Sequence, residues 1–245
     1  MKHLKMAILY YAICYRGNWQ KIAEAIKNKE AYKMVDMEES YITIVDEAYP
    51  LAFKRLRYPP WILFYRGNLD ILKSESIGIV GSRNCSLQAL ENTKQVVSIL
   101  KKKYTIVSGL AKGVDGMAHT CSLDQKTIGI VGCGIDQIYP KENQRLYEEM
   151  AKHHLILSEY PPQTPPLRHH FPWRNRLIAA LSKNLIVIEA NFKSGTMSTV
   201  NECLELDVPV YCLPTAFGQK DYLGCNRLIQ NGANIIVDEE DLTDM

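Results

Sequence analysis

From about residue 77 onward, hydrophobic positions fall in two alternating rhythms. Short apolar runs rich in β-branched residues alternate with stretches in which apolar side chains recur every three or four positions. The runs at 77–81, 104–107, 127–131, 155–158, 184–188, 209–212 and 234–237 predict strands. The stretches 86–102, 114–124, 141–152, 173–183, 196–206 and 223–231 predict the helices between them. Strand–helix alternation of this kind requires crossover connections, and hence an α/β fold with a doubly wound, mainly parallel sheet. The first unit is the clearest. Ile77-Gly-Ile-Val-Gly-Ser-Arg83 is a buried strand emptying into a small polar loop, and Leu87, Leu90, Val97 and Leu100 follow at helical spacing.

The residues before this alternation read differently. Leu4, Ala7, Ile8 and Tyr11 mark one helical face and Ile22, Ala25 and Ile26 another, with a turn at Arg16-Gly17-Asn18. Residues 1–40 are therefore expected to form a short helical N-terminal segment, and 41–245 the main α/β domain. The segment is either a small nucleic-acid-contacting module or a cap on the sheet, and its lack of a basic cluster favours the cap. Residues 42–72 are irregular and rich in proline and aromatics, with Ile62–Tyr65 expected as a strand whose flanking prolines fix extended or turn geometry.

Composition adds limits. With 245 residues, 47% of them hydrophobic, the chain can bury a sizeable core, and 23% charged residues suit an ordinary soluble protein. A net charge of +2 is too small to argue for a nucleic-acid partner, so any basic surface has to be local. Seven scattered cysteines with no CxxC pair fit reduced thiols better than disulfides or zinc ligands. No signal peptide and no run of membrane-spanning length is read, so a cytoplasmic protein is expected.

Parallel strands place all their carboxyl-terminal loops on one edge of the sheet. Those loops hold most of the unusual residues: Gly81-Ser82-Arg83-Asn84; Ser108-Gly109-Leu110-Ala111-Lys112-Gly113-Val114-Asp115; Gly132-Cys133-Gly134; the long loop with Arg168, His169, His170 and Phe171; and Lys193-Ser194-Gly195-Thr196. Glycines let backbone N–H groups approach a phosphate, and helix amino ends favour an anion. Arg83, Lys112, Arg168, Arg174, Arg176 and Lys193 add charge to the same edge, which outlines an anion site.

Several of these residues have a plainer alternative. The glycines turn strands into helices, and Asp115 can serve as a helix cap. His169-His170 lacks a second ligand pair for a metal, and His153-His154 reads as a helix end. Cys133 has no identifiable histidine partner and reads as a small core filler. In Phe171-Pro172-Trp173-Arg174-Asn175-Arg176, aromatics interleaved with arginines match stacking planes beside phosphate-binding charge. Alternatively, Trp173 and Phe171 pack in the core and Arg176 pairs with a carboxylate such as Glu159 or Glu189.

Taken as a series, Gly81-Ser82-Arg83, Ser108 to Asp115, Gly134-Ile135-Asp136 with Tyr139-Pro140 and Asn143, Ser158 to Pro162, and Phe171 to Ala179 resemble the DprA/Smf family of DNA-processing proteins. The resemblance spans about residues 42–238. It implies an extended Rossmann fold that binds single-stranded DNA without sequence preference, forms homodimers and helps load the RecA recombinase during DNA uptake. It implies no catalytic reaction, metal or cofactor. The resemblance carries DNA binding over to Gly81, Ser82, Arg83, Arg168, Phe171, Arg174 and Arg176, and the loop reading adds Ser108, Gly109, Lys112, Gly113 and Lys193 to the expected DNA-binding set. A competing reading is a nucleotide-binding enzyme or sensor, with Gly195-Thr196 as phosphate cradle and Glu189 or Glu202 as acid/base. A nicotinamide dehydrogenase lacks a clean glycine fingerprint and a ribose carboxylate.

Overall fold

The structure, a computed structural model, describes residues 2–192, 194–216, 218–219 and 222–245. Helices α1 (Lys2–Cys14) and α2 (Trp19–Lys27) come first, followed by β1 (Ser40–Thr43), a short α3 (Leu51–Lys54) and β2 (Ile62–Gly67). Next come β3 (Ser76–Val80), α4 (Leu87–Leu100), β4 (Thr105–Ser108), α5 (Val114–Thr120), β5 (Thr127–Ile130), α6 (Gln144–His153) and β6 (Leu155–Ser158). The chain continues through α7 (His170–Leu181), β7 (Ser182–Val187), α8 (Thr196–Glu205), β8 (Val210–Cys212), α9 (Gly224–Gln230), β9 (Asn234–Ile235) and α10 (Glu240–Thr243).

Among the described residues one nine-stranded sheet has the order β1-β2-β6-β5-β4-β3-β7-β8-β9. From β6 to β9 every neighbouring pair is parallel. At the β6 side, β2 and β1 continue the sheet antiparallel. β3 is buried at all five positions, as a central strand covered on both faces must be.

The cover is double. On one face Leu177, Val200, Cys225 and Leu228 of α7, α8 and α9, with Phe53 of α3, pack on Val80, Val107, Ile128 and Leu157. On the other, Val97 of α4, Ala118 of α5 and Leu242 of α10 meet Ile77, Ile79, Ile106 and Ile186. Beside them Ile8, Ile22, Ala25 and Met150 of α1, α2 and α6 meet Ile62, Phe64 and Ile156. Residues 1–40 thus share a core with the sheet. Their turn uses Gly17 at φ +74°, where a Cβ would come within 3.0 Å of Tyr160 and 3.4 Å of Pro161 just beyond β6.

Several elements differ from expectation: α3 and α10 have no predicted counterpart, and α5 stops at Thr120, short of the predicted 124. β1 carries no readable alternation because it is four residues long, and its place is set by pairing Tyr41 with Phe64. α7 begins at His170, three residues before its predicted start, and runs into β7 with no intervening loop.

One buried pair sets a pH response. His119 bonds Thr127 Oγ1 through Nδ1 at 2.7 Å, while His119 Nε2 and both ring nitrogens of His154 lack a partner among the described residues. Burial pushes His119 down to about 3 and also lowers His154. The unfolded chain takes up these protons near pH 6.5 and the folded chain does not. Stability is therefore full above that pH and falls below it, by up to about 1.4 kcal/mol per pH unit for each histidine. Urea midpoints at pH 7.5 and 5.5 should show this loss, and His119→Asn should reduce it. Equal midpoints would contradict the assignment.

Candidate functional site

The order of the sheet reverses at β3, with β4 on one side and β7 on the other. In open α/β sheets, ligands bind beyond the carboxyl ends of the strands at such a point. A cavity of about 760 Å³ lies there, walled by Gly81 to Asn84, by Phe171, Arg174 and Asn175 of α7, and by Ser194 to Thr196. A lobe of about 60 Å³, bordered by Gly109, Lys112, Tyr139 and Pro140, shares Arg83, Phe171 and Arg174 with it.

Backbone contacts hold the two loops that open the cavity. Ile188 N–H donates to Val80 O at 3.1 Å and Ser82 N–H to Glu189 O at 2.8 Å, so the β3–β7 pairing continues to the cavity's edge. Gly81 allows α5 to close in, since a Cβ there would lie 2.5 Å from Val114 Cγ2. Gly113, at φ +73°, faces the carbonyls of Ser82 and Arg83, where a side chain would collide with backbone. Glu189 accepts from Ser86 N–H at 3.0 Å and from Ser86 Oγ at 2.6 Å. Ser86 Oγ in turn accepts from Ala89 N–H at 3.1 Å, so the carboxylate fastens the amino end of α4.

At the mouth, the exposed Arg83 lies over Phe171, with Cζ 5.3 Å from the ring centroid. Tyr139, 44% exposed, approaches the same ring at 5.5 Å. Arg168 stands exposed on the lip. Lys112 is ion-paired with Glu142, both well exposed, a contact weak enough in water for a ligand to replace. The floor is different. Arg174 is 3% exposed, its Nη1 donates to Ile130 O at 2.5 Å, and its Nε has no partner among the described residues. Burial pushes this guanidinium down to about 10, opposed by nearby Asp115. Burial raises the Asp115 carboxyl, and Arg174 pulls it back. Asp115 is the single carboxylate among the described cavity-lining residues.

Of the residues expected at the site, the structure gathers Gly81, Ser82, Arg83, Gly109, Lys112, Arg168, Phe171 and Arg174 around the cavity and its lobe. Three lie elsewhere. The buried Ser108 hydroxyl donates to Ile79 O at 2.6 Å and joins β4 to β3. Gly113 shapes the neighbouring loop, as above. Arg176 makes two 2.7 Å bonds to Glu159, also bonds Tyr58 O, and is 4% exposed, so its charge is spent inside the protein. Lys193 lies outside the described residues.

Of the competing acid/base pair, Glu189 serves as the α4 fastener and Glu202 does not line the cavity, although Gly195 and Thr196 do. Cys133 is buried, bonded to Gln137 O and pushed up to about 12 by burial, which makes it a filler. His170 stacks on Tyr160 at 3.9 Å. Sequence reasoning passed over Tyr139 and Asn175 as ligand-facing groups. Tyr139 was readable as an aromatic in a carboxyl-edge loop; Asn175 becomes visible only once packing fixes which side of α7 meets the cavity.

A doubly wound, mainly parallel sheet with a basic, aromatic-lipped cavity at its switch point places the chain among the Rossmann-like α/β proteins. The family model for DNA recombination-mediator protein A matches residues 40–245. The DNA processing protein DprA of Streptococcus pneumoniae is 42% identical over 204 residues, covering 82% of this chain and 72% of the relative. Its Bacillus subtilis namesake is 42% identical over 209 residues, covering 82% and 69%. The solved S. pneumoniae structure superposes with a TM-score of 0.82 at 37% identity, over 92% of this chain and 80% of that one. DNA processing protein A from Helicobacter pylori, a structure described for its single-stranded DNA binding mode, gives 0.77 at 32% identity over 84% and 95%. The chain belongs to the DNA recombination-mediator protein A family, the DprA/Smf group of DNA-processing proteins.

The arginines separate by experiment. Arg176→Ala leaves Glu159 buried and unpaired and should cost about 3–5 kcal/mol in urea unfolding, whereas Arg83→Ala should change stability by no more than about 0.5 kcal/mol. Equal costs would mean that the two environments are misassigned.

Proposed function

We propose that this chain binds single-stranded DNA without sequence preference in the carboxyl-edge cavity. Arg83, Arg168 and Lys112 take phosphates at the mouth, Arg174 offers a buried positive charge at the floor, and a base stacks against Phe171 with Tyr139 beside it. The observation that carries this reading is the Arg83–Phe171–Tyr139 cluster at the entrance to a cavity whose described lining has one, buried, carboxylate. Backbone charge neutralisation and base stacking are both indifferent to sequence, because every nucleotide has a phosphate and a π-face. The named binding mode of the H. pylori relative supports the same reading. We extend it to homodimerisation and to loading of a RecA-type recombinase onto the bound strand, on the strength of family membership alone.

Fluorescence anisotropy of a labelled oligothymidine across a salt series tests the proposal, with a matched duplex alongside. Binding should weaken steeply with salt, by a slope of about −0.7 per phosphate neutralised, and the duplex should bind less well. Arg83→Ala should shallow that slope by about one phosphate, and Phe171→Ala should cost about 1–3 kcal/mol. Absence of binding at low salt, or unchanged binding in both variants, would refute the reading.

A further inference from the structure

A second aromatic array lies on the same edge of the sheet, outside the cavity. Tyr58 and Trp173 approach at 5.6 Å, Trp19 meets Tyr58 at 5.0 Å, and Trp19 stacks on Trp61 at 5.5 Å with 30° between the rings. All four residues keep part of their surface exposed, with Trp61 also packed against the core, so the array reaches solvent instead of closing over. Its members come from three separate segments. Trp173 stands on the first turns of α7, Tyr58 and Trp61 precede β2, and Trp19 opens α2. The α1–α2 turn brings Trp19 to this edge by packing Gly17 against Tyr160 and Pro161.

The array is built to stay in place. Trp19 Nε1 donates to Pro59 O at 2.7 Å and Trp61 Nε1 to Trp19 O at 3.3 Å. Arg176, locked by Glu159, sits 4.2 Å from the Trp173 centroid. Rings held rigid by their own hydrogen bonds lose little freedom when a ligand stacks on them. Charge borders them as well. The exposed Arg57 lies 5.2 Å over Tyr58, and the exposed Arg16 stands in the α1–α2 turn.

α7 connects the two surfaces. At 3.6 residues per turn, Phe171, Arg174, Asn175 and Ile178 share the helix side that faces the cavity, and Trp173 and Arg176 lie on the opposite side. A strand leaving the cavity past Arg168 reaches the array by crossing the amino end of one helix, about 10–12 Å wide. That end carries no side-chain cap.

We propose that single-stranded DNA continues from the cavity over the amino end of α7 and lays further bases on the Trp173–Tyr58–Trp19–Trp61 array, with phosphates beside Arg57 and Arg16. The proposal rests on the cavity reading and extends its footprint onto the N-terminal helices.

All three tryptophans of the chain belong to the array, so intrinsic fluorescence reports on it directly. The full chain is titrated with labelled oligothymidines of about four and about fifteen nucleotides, following label anisotropy and tryptophan emission together. The short oligomer should raise anisotropy without quenching. The long one should bind about five- to tenfold more tightly and quench. Trp173→Leu and the surface variant Arg57→Ala should each remove much of the long oligomer's advantage and leave the short one's affinity unchanged. Long-oligomer binding with no quenching, or equal quenching by both lengths, would overturn the extension while leaving the cavity reading standing. No anisotropy change with either length would overturn the cavity reading itself.

Discussion

Loops diverge to leave a cavity where the connections of a parallel sheet change direction, and in this chain that seam runs between β3 and β7. Hydrogen bonds follow it past the last strand residues, through Val80 with Ile188 and Ser82 with Glu189, before the two loops part. The surrounding sequence serves that opening. Gly81 and Gly113 bring the loop after β3 and the start of α5 within backbone contact, and Glu189 ties the far end of the loop to α4. With this framework fixed, Arg83 projects from a rigid base rather than from a free loop, and less loop entropy is lost when it meets a phosphate.

Three arginines on or near this seam show how environment assigns work to one residue type. Arg83 is exposed and rests on an aromatic ring, available to a ligand. Arg176 is consumed by Glu159 and by backbone carbonyls, holding α7 against the loop after β6. Arg174 is the intermediate case. It is as buried as Arg176, yet it lacks a full set of partners, and an unmet buried donor costs about 1–3 kcal/mol. Its Nε is closed off from the cavity, so what the floor offers an anion is the charge of the guanidinium rather than that donor.

How much of this was legible beforehand depended on what the sequence repeats. The strands from β3 to β8 were readable because nearly all their positions are buried, and most predicted bounds fall within a residue or two, although β9 is exposed at both of its residues. β1 was not, because its four residues take their conformation from Tyr41 lying opposite Phe64, a long-range pairing with no local signal. Grouping the carboxyl-edge loops needed only the parallel rule. Sorting the side chains within them needed the phase of α7. Two positions apart, Arg174 and Arg176 point about 200° from each other, and the packing of α7 on the sheet decides which meets the cavity and which meets Glu159. The choice between Glu159 and Glu189 as the Arg176 partner was likewise open until the fold placed Glu189 at the cap of α4.

The central claim is that the carboxyl-edge cavity, with Phe171 at its mouth, is where the strand lies. Photo-crosslinking with an oligonucleotide carrying halogenated uracils, mapped by mass spectrometry, tests it most directly, because the chemistry favours aromatic side chains in contact with a base. The account predicts adducts on the peptide containing Phe171, joined by the one containing Tyr139. Adducts confined to the opposite edge of the sheet, with none on either peptide, would contradict it.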